Sequence, residues 1–323
     1  MTDAIRDIDM LVVGEINPDI VVGDADPVPV FGEVERLVAS IGLTVGSSSA
    51  IFACGAARLG LTTAFVGVVG ADPFGRFMLE AMAARGVDVS ACTVDPDRPT
   101  GATVFLTSGR DRAMLTAMGT IGALDVGTIP VATLDRARHL HSGCFFLQAT
   151  SRDRLPAFFE TARAHGVTTS FDTNWDPSGE WDGGAEMLGA CDVFLPNEAE
   201  ACRIARRDDV DEAARELVRI GAAGRTAGGP IVAVKCGAMG AIAVGPDGVI
   251  VRQAAMLVEP LDTTGAGDSF NAGFLRAWLD GGSLADALRL GAACGALSTR
   301  AHGGVDGQAT LDEATRAWGP APR

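Results

Sequence analysis

The feature that most constrains this chain is an alternation of short, unbroken apolar runs with amphipathic stretches. Residues 9–14 (DMLVVG), 64–69 (AFVGVV), 139–146, 168–172, 192–195 and 231–235 are short, β-rich and mostly without polar alternation. A strand that is apolar at every position is buried on both faces, which is the situation of a parallel sheet covered by helices on either side. Segments 48–59, 74–85, 154–165, 198–206 and 210–220, lying between such runs, have helical spacing. The expected fold class is therefore α/β, a three-layer α/β/α domain around a doubly wound, mostly parallel sheet.

Two stretches break the rhythm. Residues 16–43 and 100–119 contain β-type segments (IVVG, ATVFLT, AMLTAMG) but no long helix. They are expected to form a small β-sheet lid inserted into one domain that spans residues 1–323. Length alone, at about 150 residues per domain, allows two domains or one large domain with an insertion. Arg110 and Arg112 fall at a predicted hairpin tip in the lid, and the tail 318–323 is expected to fray. There is no internal repeat and no low-complexity tract.

Charge narrows the function. Asp plus Glu number 41 against 26 Lys plus Arg, a formal net charge of -15, so phosphate polymers are repelled and a nucleic-acid partner is not expected. The start, MTDAIRDIDM, lacks a basic region followed by an apolar one, so no secretory signal is expected. No apolar run approaches the length of about 18 residues needed for a membrane span. Cys54, Cys92, Cys144, Cys191, Cys202, Cys236 and Cys294 are scattered and never spaced C-x-x-C, which supports neither a disulfide framework nor a zinc site. A cytoplasmic protein is expected, without membrane or nucleic-acid partners. The chain has no tyrosine, and Lys235 is its single lysine.

The densest chemical signal is 262–275, DTTGAGDSFNAGFL. Beyond Gly267, apolar residues at Phe270, Phe274, Leu275, Trp278 and Leu279 mark one helix face, and Gly281-Gly282 supplies a stop. The helix then begins near residues 265–267, where backbone amides lack intrahelical partners and glycines let an anion approach. Asp268 sits in its first turn. A carboxylate aimed at an anion site repels the anion unless its task is to take a proton from an attacking hydroxyl. An Asp near a helix start also complements the dipole, so the spacing leaves a purely structural role equally open. No P-loop, first-strand G-x-G-x-x-G or G-x-S-x-G elbow is present.

DTTGAGDSFNAGFL closely resembles the C-terminal signature of the ribokinase-like, or PfkB-type, carbohydrate kinases, and the resemblance runs along nearly the whole chain. Gly14-Glu-Ile-Asn-Pro-Asp19 is similar to the first-strand motif whose Asn and Asp hold sugar hydroxyls. The stretch from Val45-Gly-Ser-Ser-Ser-Ala to Val66-Gly-Val-Val-Gly-Ala-Asp-Pro-Phe-Gly75 resembles the N-terminal signature. Pro196-Asn-Glu-Ala-Glu200 matches the N-x-x-E element, and Val234-Lys-Cys-Gly-Ala-Met-Gly240 the nucleotide-side turn.

The resemblance implies a ribokinase-like fold and roles for individual residues. Asp268 would be the general base, with the amides of Gly265, Ala266 and Gly267 as the anion hole. Asn17, Asp19, Gly46, Ser47 and Ala50 would hold the acceptor. Asn197, Lys235, Gly237, Gly240 and His302 would meet ATP, with Asn197 and Glu200 near Mg²⁺ through water. Asp262, Thr264 and the loop 298–304 would be the place of a monovalent cation such as K⁺.

The chain also departs from ribokinases. Val45-Gly46 and then Ala50 stand where they carry Gly-Gly and a sugar-contacting Asn; Asp176 replaces the Arg of a D-x-N-x-R run; and no sugar-binding Glu is found at 148–150. The missing Arg points to an unphosphorylated acceptor. The leading expectation is an ATP-dependent kinase of a hydroxymethyl group on a sugar or sugar-like alcohol, with a homodimer through the lid as a candidate assembly. A nucleoside kinase would use Phe31, Phe105, Phe145 or Phe146 as a base slot, though these read more simply as core. A catalytically silent binding protein on the same fold is the alternative from another class. His139 and His141 alternate on a strand and, without a third ligand nearby, read as structural.

Overall fold

Nine strands of the computed structural model, which describes residues 6–23, 29–108, 111–223, 225 and 228–318 (backbone only at 107, 108, 111 and 112), form one sheet. Its order is Ile250–Gln253, Ala241–Val244, Ile231–Lys235, Val193–Phe194, Thr168–Phe171, Ala137–Ser142, Ile8–Val13, Thr63–Val66 and Val87–Asp88. All neighbours are parallel except the first two pairs, which are antiparallel. The doubly wound, mostly parallel α/β sheet is thus present, extended at one edge by two strands that apolar runs did not announce.

The central strands show why their sequences do not alternate. Met10 and Val12 belong to one core, packed with helices Ser48–Arg58, Ala266–Leu279 and Leu284–Ser298. Leu11 and Val13 belong to a second core, under helices Leu155–Ala164, Gly184–Ala190 and Val210–Gly221. Val193 and Phe194, and likewise Ala233 and Val234, divide in the same way. Both faces exclude water, and three layers result.

A separate four-stranded sheet joins Ser40–Val45, Pro18–Gly23, Ala102–Ser108 and Asp111–Ala117 in that order. Its strands come from the two stretches that lack helices. Arg110, the side chain of Arg112, residues 24–28 and the end of the tail lie outside the described residues.

Two expected boundaries move. The run 64–69 splits at Gly67, where a Cβ would come within 2.8 Å of the Gly14 carbonyl oxygen, and Val68–Gly70 pairs elsewhere, with Thr93–Asp95. The run 139–146 ends as a strand at Ser142, because Cys144 turns at φ 54 into a short 3₁₀ helix, Phe145–Leu147. All seven cysteines are free, and no described helix is long and apolar enough to cross a membrane.

Candidate active site

Parallel strands deliver their carboxyl ends to one edge of the sheet, where loops can hold a ligand. Glu15 follows Ile8–Val13, Cys144 follows Ala137–Ser142, Asp172 follows Thr168–Phe171, Asn197 follows Val193–Phe194, and Lys235 ends its own strand. Helix Ala266–Leu279 starts at Gly265, which has φ 71 and offers no side-chain cap. A Cβ there would stand 2.8 Å from the Gly304 carbonyl oxygen and 2.9 Å from Ile51, so only glycine fits both the turn and the space. The Ala266 amide leans on the Thr263 carbonyl at 3.3 Å. Among the described residues, no protein group meets the amides of Gly265 and Gly267.

Asp268 lies in this first turn and is 9% exposed. Burial pushes its carboxyl well above the usual carboxylate range; Asp172 and Glu15 push the same way, while Lys235 and a hydrogen bond from Ser48 pull it back. Lys235 fills the space beneath. Its Nζ donates to Asp172 Oδ2 at 2.6 Å, the Leu195 carbonyl at 2.6 Å and Asn271 Oδ1 at 3.2 Å. Asn271 Nδ2 donates to the same Asp172 oxygen at 2.6 Å. Burial alone would lower the ammonium's pKa, but Asp172 and Glu200 outweigh it and hold it above the usual lysine value. The ammonium is therefore held inside the site, and the residue also borders an open depression of about 520 Å³ shared with Asn197 and Gly237.

Asn197 and Glu200 form a capping box at the start of helix Glu198–Ala205. The Asn197 backbone amide and Nδ2 donate to Glu200 at 2.8 and 2.6 Å, and the Glu200 amide donates back to Asn197 Oδ1 at 2.9 Å. Burial, followed by Asp172, pushes the Glu200 carboxyl up to about 7. Gly237 and Gly240 have φ 54 and 95, and a Cβ on Gly240 would collide with the Gln253 carbonyl oxygen at 2.0 Å. Asp262 ties two loops together by accepting from the amides of Thr264 at 2.8 Å and Gly303 at 2.9 Å. Burial works against its charge, but these amides keep its carboxyl below the usual range. His302 is exposed on the second loop.

Of the residues expected to hold an acceptor, Asn17 and Asp19 are buried and face each other at 3.5 Å, and Gly46 lies so close that a Cβ would overlap Asp19 Oδ1. Ser47 takes φ 65 and caps helix Ser48–Arg58 by accepting from the Ala50 amide. Its hydroxyl donates to the Glu15 carbonyl oxygen at 2.7 Å. Ala50 is placed differently from expectation: its methyl is in the core and its amide is engaged by Ser47, so it offers the acceptor no group. His139 and His141 share the Ser170 hydroxyl at 2.6 and 2.8 Å inside the sheet. Burial lowers the His141 pKa to about 3, so both rings are neutral structural partners.

Glu15, Asp172, Asn174 and Asn271 were given no role from the sequence, yet they line the same space, as does Ser48, one of three serines whose hydroxyls stand near the missing Asn. Asn174 donates to the Ser48 hydroxyl and, through Oδ1, accepts from the Cys144 amide at 3.1 Å. Asn271 carried a readable signal, since it stands one helical turn beyond Asp268 and so shares its face. For Asp172 and Glu15 the signal was their place just after buried strands.

Among known proteins, the pfkB family carbohydrate kinase profile matches residues 7–311. The chain is 27% identical to a ribokinase of Haemophilus influenzae over 94% of this chain and 96% of that one. It is 30% identical to a 2-dehydro-3-deoxygluconokinase of Bacillus subtilis, over 81% of this chain and 82% of the relative. A solved PfkB protein from Polaromonas sp. JS666 superposes with a TM-score of 0.79 at 28% identity, covering 95% of this chain and 98% of that one. With this architecture and these relatives, the chain belongs to the pfkB family of carbohydrate kinases.

Proposed function

We propose that this carbohydrate kinase moves the terminal phosphoryl group of ATP onto a hydroxymethyl group of an unphosphorylated sugar or sugar-like alcohol. The observation that carries the reading is Asp268, buried in the first turn of a helix whose N-terminal amides face the same space. Asp268 takes the proton of the attacking hydroxyl, and the amides of residues 265–267 stabilise charge on the transferred group. Proton transfer of this kind contributes about 10²–10⁴-fold to a rate. The remainder is positioning and charge compensation around an in-line transfer.

Mg²⁺ fits the chemistry of the donor set. Asp172, Glu200 and Asp268 place three carboxylates around the single ammonium of Lys235, leaving an acidic surplus beside the depression. Asn197 and Glu200 would hold the hydrated ion, which neutralises the phosphates when bound. Gly237, Gly240 and His302 would border the nucleotide, and Asp262 with Thr264 would flank a monovalent cation where the two loops join.

The test is ADP release over a panel of pentoses, hexoses, sugar acids and nucleosides, with and without K⁺, for the native chain and Asp268→Asn. The variant should lose at least about 100-fold in kcat while keeping ATP affinity; undiminished turnover removes Asp268 as the base. Preference for a nucleoside would indicate a nucleoside kinase. Of the four aromatic residues, Phe145 and Phe146 pack in the core and Phe31 is 97% exposed, which leaves Phe105, 9% exposed on the face of the small sheet that carries Asp19, as the one in place to meet a base. Binding of sugar and ATP without turnover would indicate a silent binding protein.

A further inference from the structure

Three positive poles could meet the body of the acceptor. The first is the N-terminus of helix Ser48–Arg58, which in isolation attracts an anion. Here a carboxylate of the chain already occupies it. The Ser49 amide donates to Glu15 Oε1 at 3.2 Å and the Ser49 hydroxyl to Glu15 Oε2 at 2.6 Å, while the Ser47 hydroxyl, shared with the Glu15 carbonyl oxygen, lies 3.0 Å from Oε1. The next amide, of Ala50, is taken by the Ser47 hydroxyl.

The second pole is Lys235, whose ammonium is held by Asp172, Asn271 and the Leu195 carbonyl. The third is the loop after Asp172. Its position 176 carries Asp, which accepts from the amides of Ser178 at 2.9 Å and Trp181 at 2.7 Å and so folds the loop onto itself. The arginines beside that loop lie against aromatic rings. Arg152 lies over Phe145 and Phe146, and Arg203 over Trp175 and Trp181.

The acidic side chains around the acceptor are buried. Glu15, Asp19, Asp172 and Asp268 are each 9% exposed or less. We infer that the acceptor is an uncharged polyhydroxy compound and that sugars carrying a carboxylate or a phosphate are rejected, because the N-terminus of helix Ser48–Arg58, the Lys235 ammonium and the loop after Asp172 are each engaged by a carboxylate of the chain. The inference rests on the reading of Asp268 as the base and deepens it from unphosphorylated to uncharged. Buried carboxylates accept hydrogen bonds from sugar hydroxyls, whereas a second anion in the same low-dielectric space is repelled. The amides of 265–267 do not offset this, since they serve the phosphoryl group in transfer.

The full chain with ATP and Mg²⁺ is assayed for ADP release on D-ribose, D-fructose, D-glucose, gluconate, 2-dehydro-3-deoxygluconate and ribose 1-phosphate. Binding of each compound is measured in parallel by calorimetry. The best neutral sugar should exceed every anionic acceptor by at least about 100-fold in kcat/KM and in affinity. An acid or phosphate ester within tenfold of the best neutral sugar overturns the inference and leaves the kinase reading intact. A neutral sugar that binds selectively without ADP release upholds the inference and overturns the catalytic reading. Failure of every neutral compound to bind also overturns the inference.

Discussion

Lys235 joins more of the site than any other single side chain described here, because one ammonium answers Asp172 directly and lies within the field of Glu200 and Asp268. Lys235→Met would leave Asp172, 3% exposed, without its cation. Breaking a buried pair on one side costs about 3–5 kcal/mol. The same change in an Asp172→Asn background should cost clearly less; equal losses in urea melts of the two backgrounds would show that the pair is not coupled. A pH prediction follows for the neighbouring carboxylate. Asp268 is useful as a base only when ionised, and burial, then Asp172, raise its pKa. Its ionised fraction therefore grows with pH later than that of a free carboxylate. The acid limb of kcat/KM should lie above the usual carboxylate range, and Asp172→Asn should move it to lower pH. A limb at ordinary carboxylate pH would sink the assignment. How much of this was legible depended on locality. Gly265, Gly267, Asp268, Asn197 and Glu200 sit in contiguous patterns whose spacing states their geometry. Glu15 and Asp172 are 157 positions apart in the sequence and meet only because their strands end at the same edge of the sheet.

At the scale of elements, a small capping site ties helix Pro73–Ala83 to the four-stranded sheet. Asp72 caps helix Pro73–Ala83 by accepting from the Gly75 amide at 2.8 Å. The same carboxylate accepts from the amide and hydroxyl of Thr100 at 2.7 and 2.8 Å, just before strand Ala102–Ser108 of the small sheet. The Thr100 hydroxyl also receives the Gly70 amide at 2.8 Å. Asp72→Ala removes a cap and an anchor together. It should destabilise the chain by about 1–2 kcal/mol in thermal or urea melts. It should also raise the KM for the acceptor more than that for ATP, since the strand it releases belongs to the sheet that carries Asp19. Equal changes in both constants would sever the link between this anchor and the acceptor. Elements were read unevenly from sequence, for physical reasons. Central strands are apolar at every position and stand out, whereas Ala241–Val244 and Ile250–Gln253 are four residues each and resemble the turn around them. Helix Leu284–Ser298 was missed because packing against Ala266–Leu279 and the sheet makes it small and apolar nearly all round, which blurs the amphipathic period.

At the scale of the whole molecule, the small sheet presents two different faces. Asp19, Thr103 and Phe105, on the face toward the body, are 4%, 8% and 9% exposed. The strand registers place Ile41 beside Val22, Leu43 beside Ile20, Val104 beside Leu115 and Leu106 beside Ala113 on the opposite face. These eight positions are apolar, and Ile41, Leu43 and Leu115 are 69%, 44% and 62% exposed. Such a face invites burial. A second copy of the chain is the occupant we propose, face to face rather than through an open strand edge. Packing two such sheets would bury apolar surface at about 25 cal/mol per Å² before the cost of association. The net charge of -15 on each copy opposes it. The balance gives a specific expectation. Charge repulsion is screened within about 8 Å at physiological ionic strength, whereas apolar burial is not weakened by salt. Dimerisation followed by sedimentation should therefore strengthen as salt is raised. Leu115→Glu should yield a monomer whose melting midpoint matches that of the native chain at low salt and high dilution, where the native chain is also monomeric, since the side chain is largely exposed within one chain. A native chain that stays monomeric at high salt, or a Leu115→Glu variant that still dimerises, would remove this face as the contact.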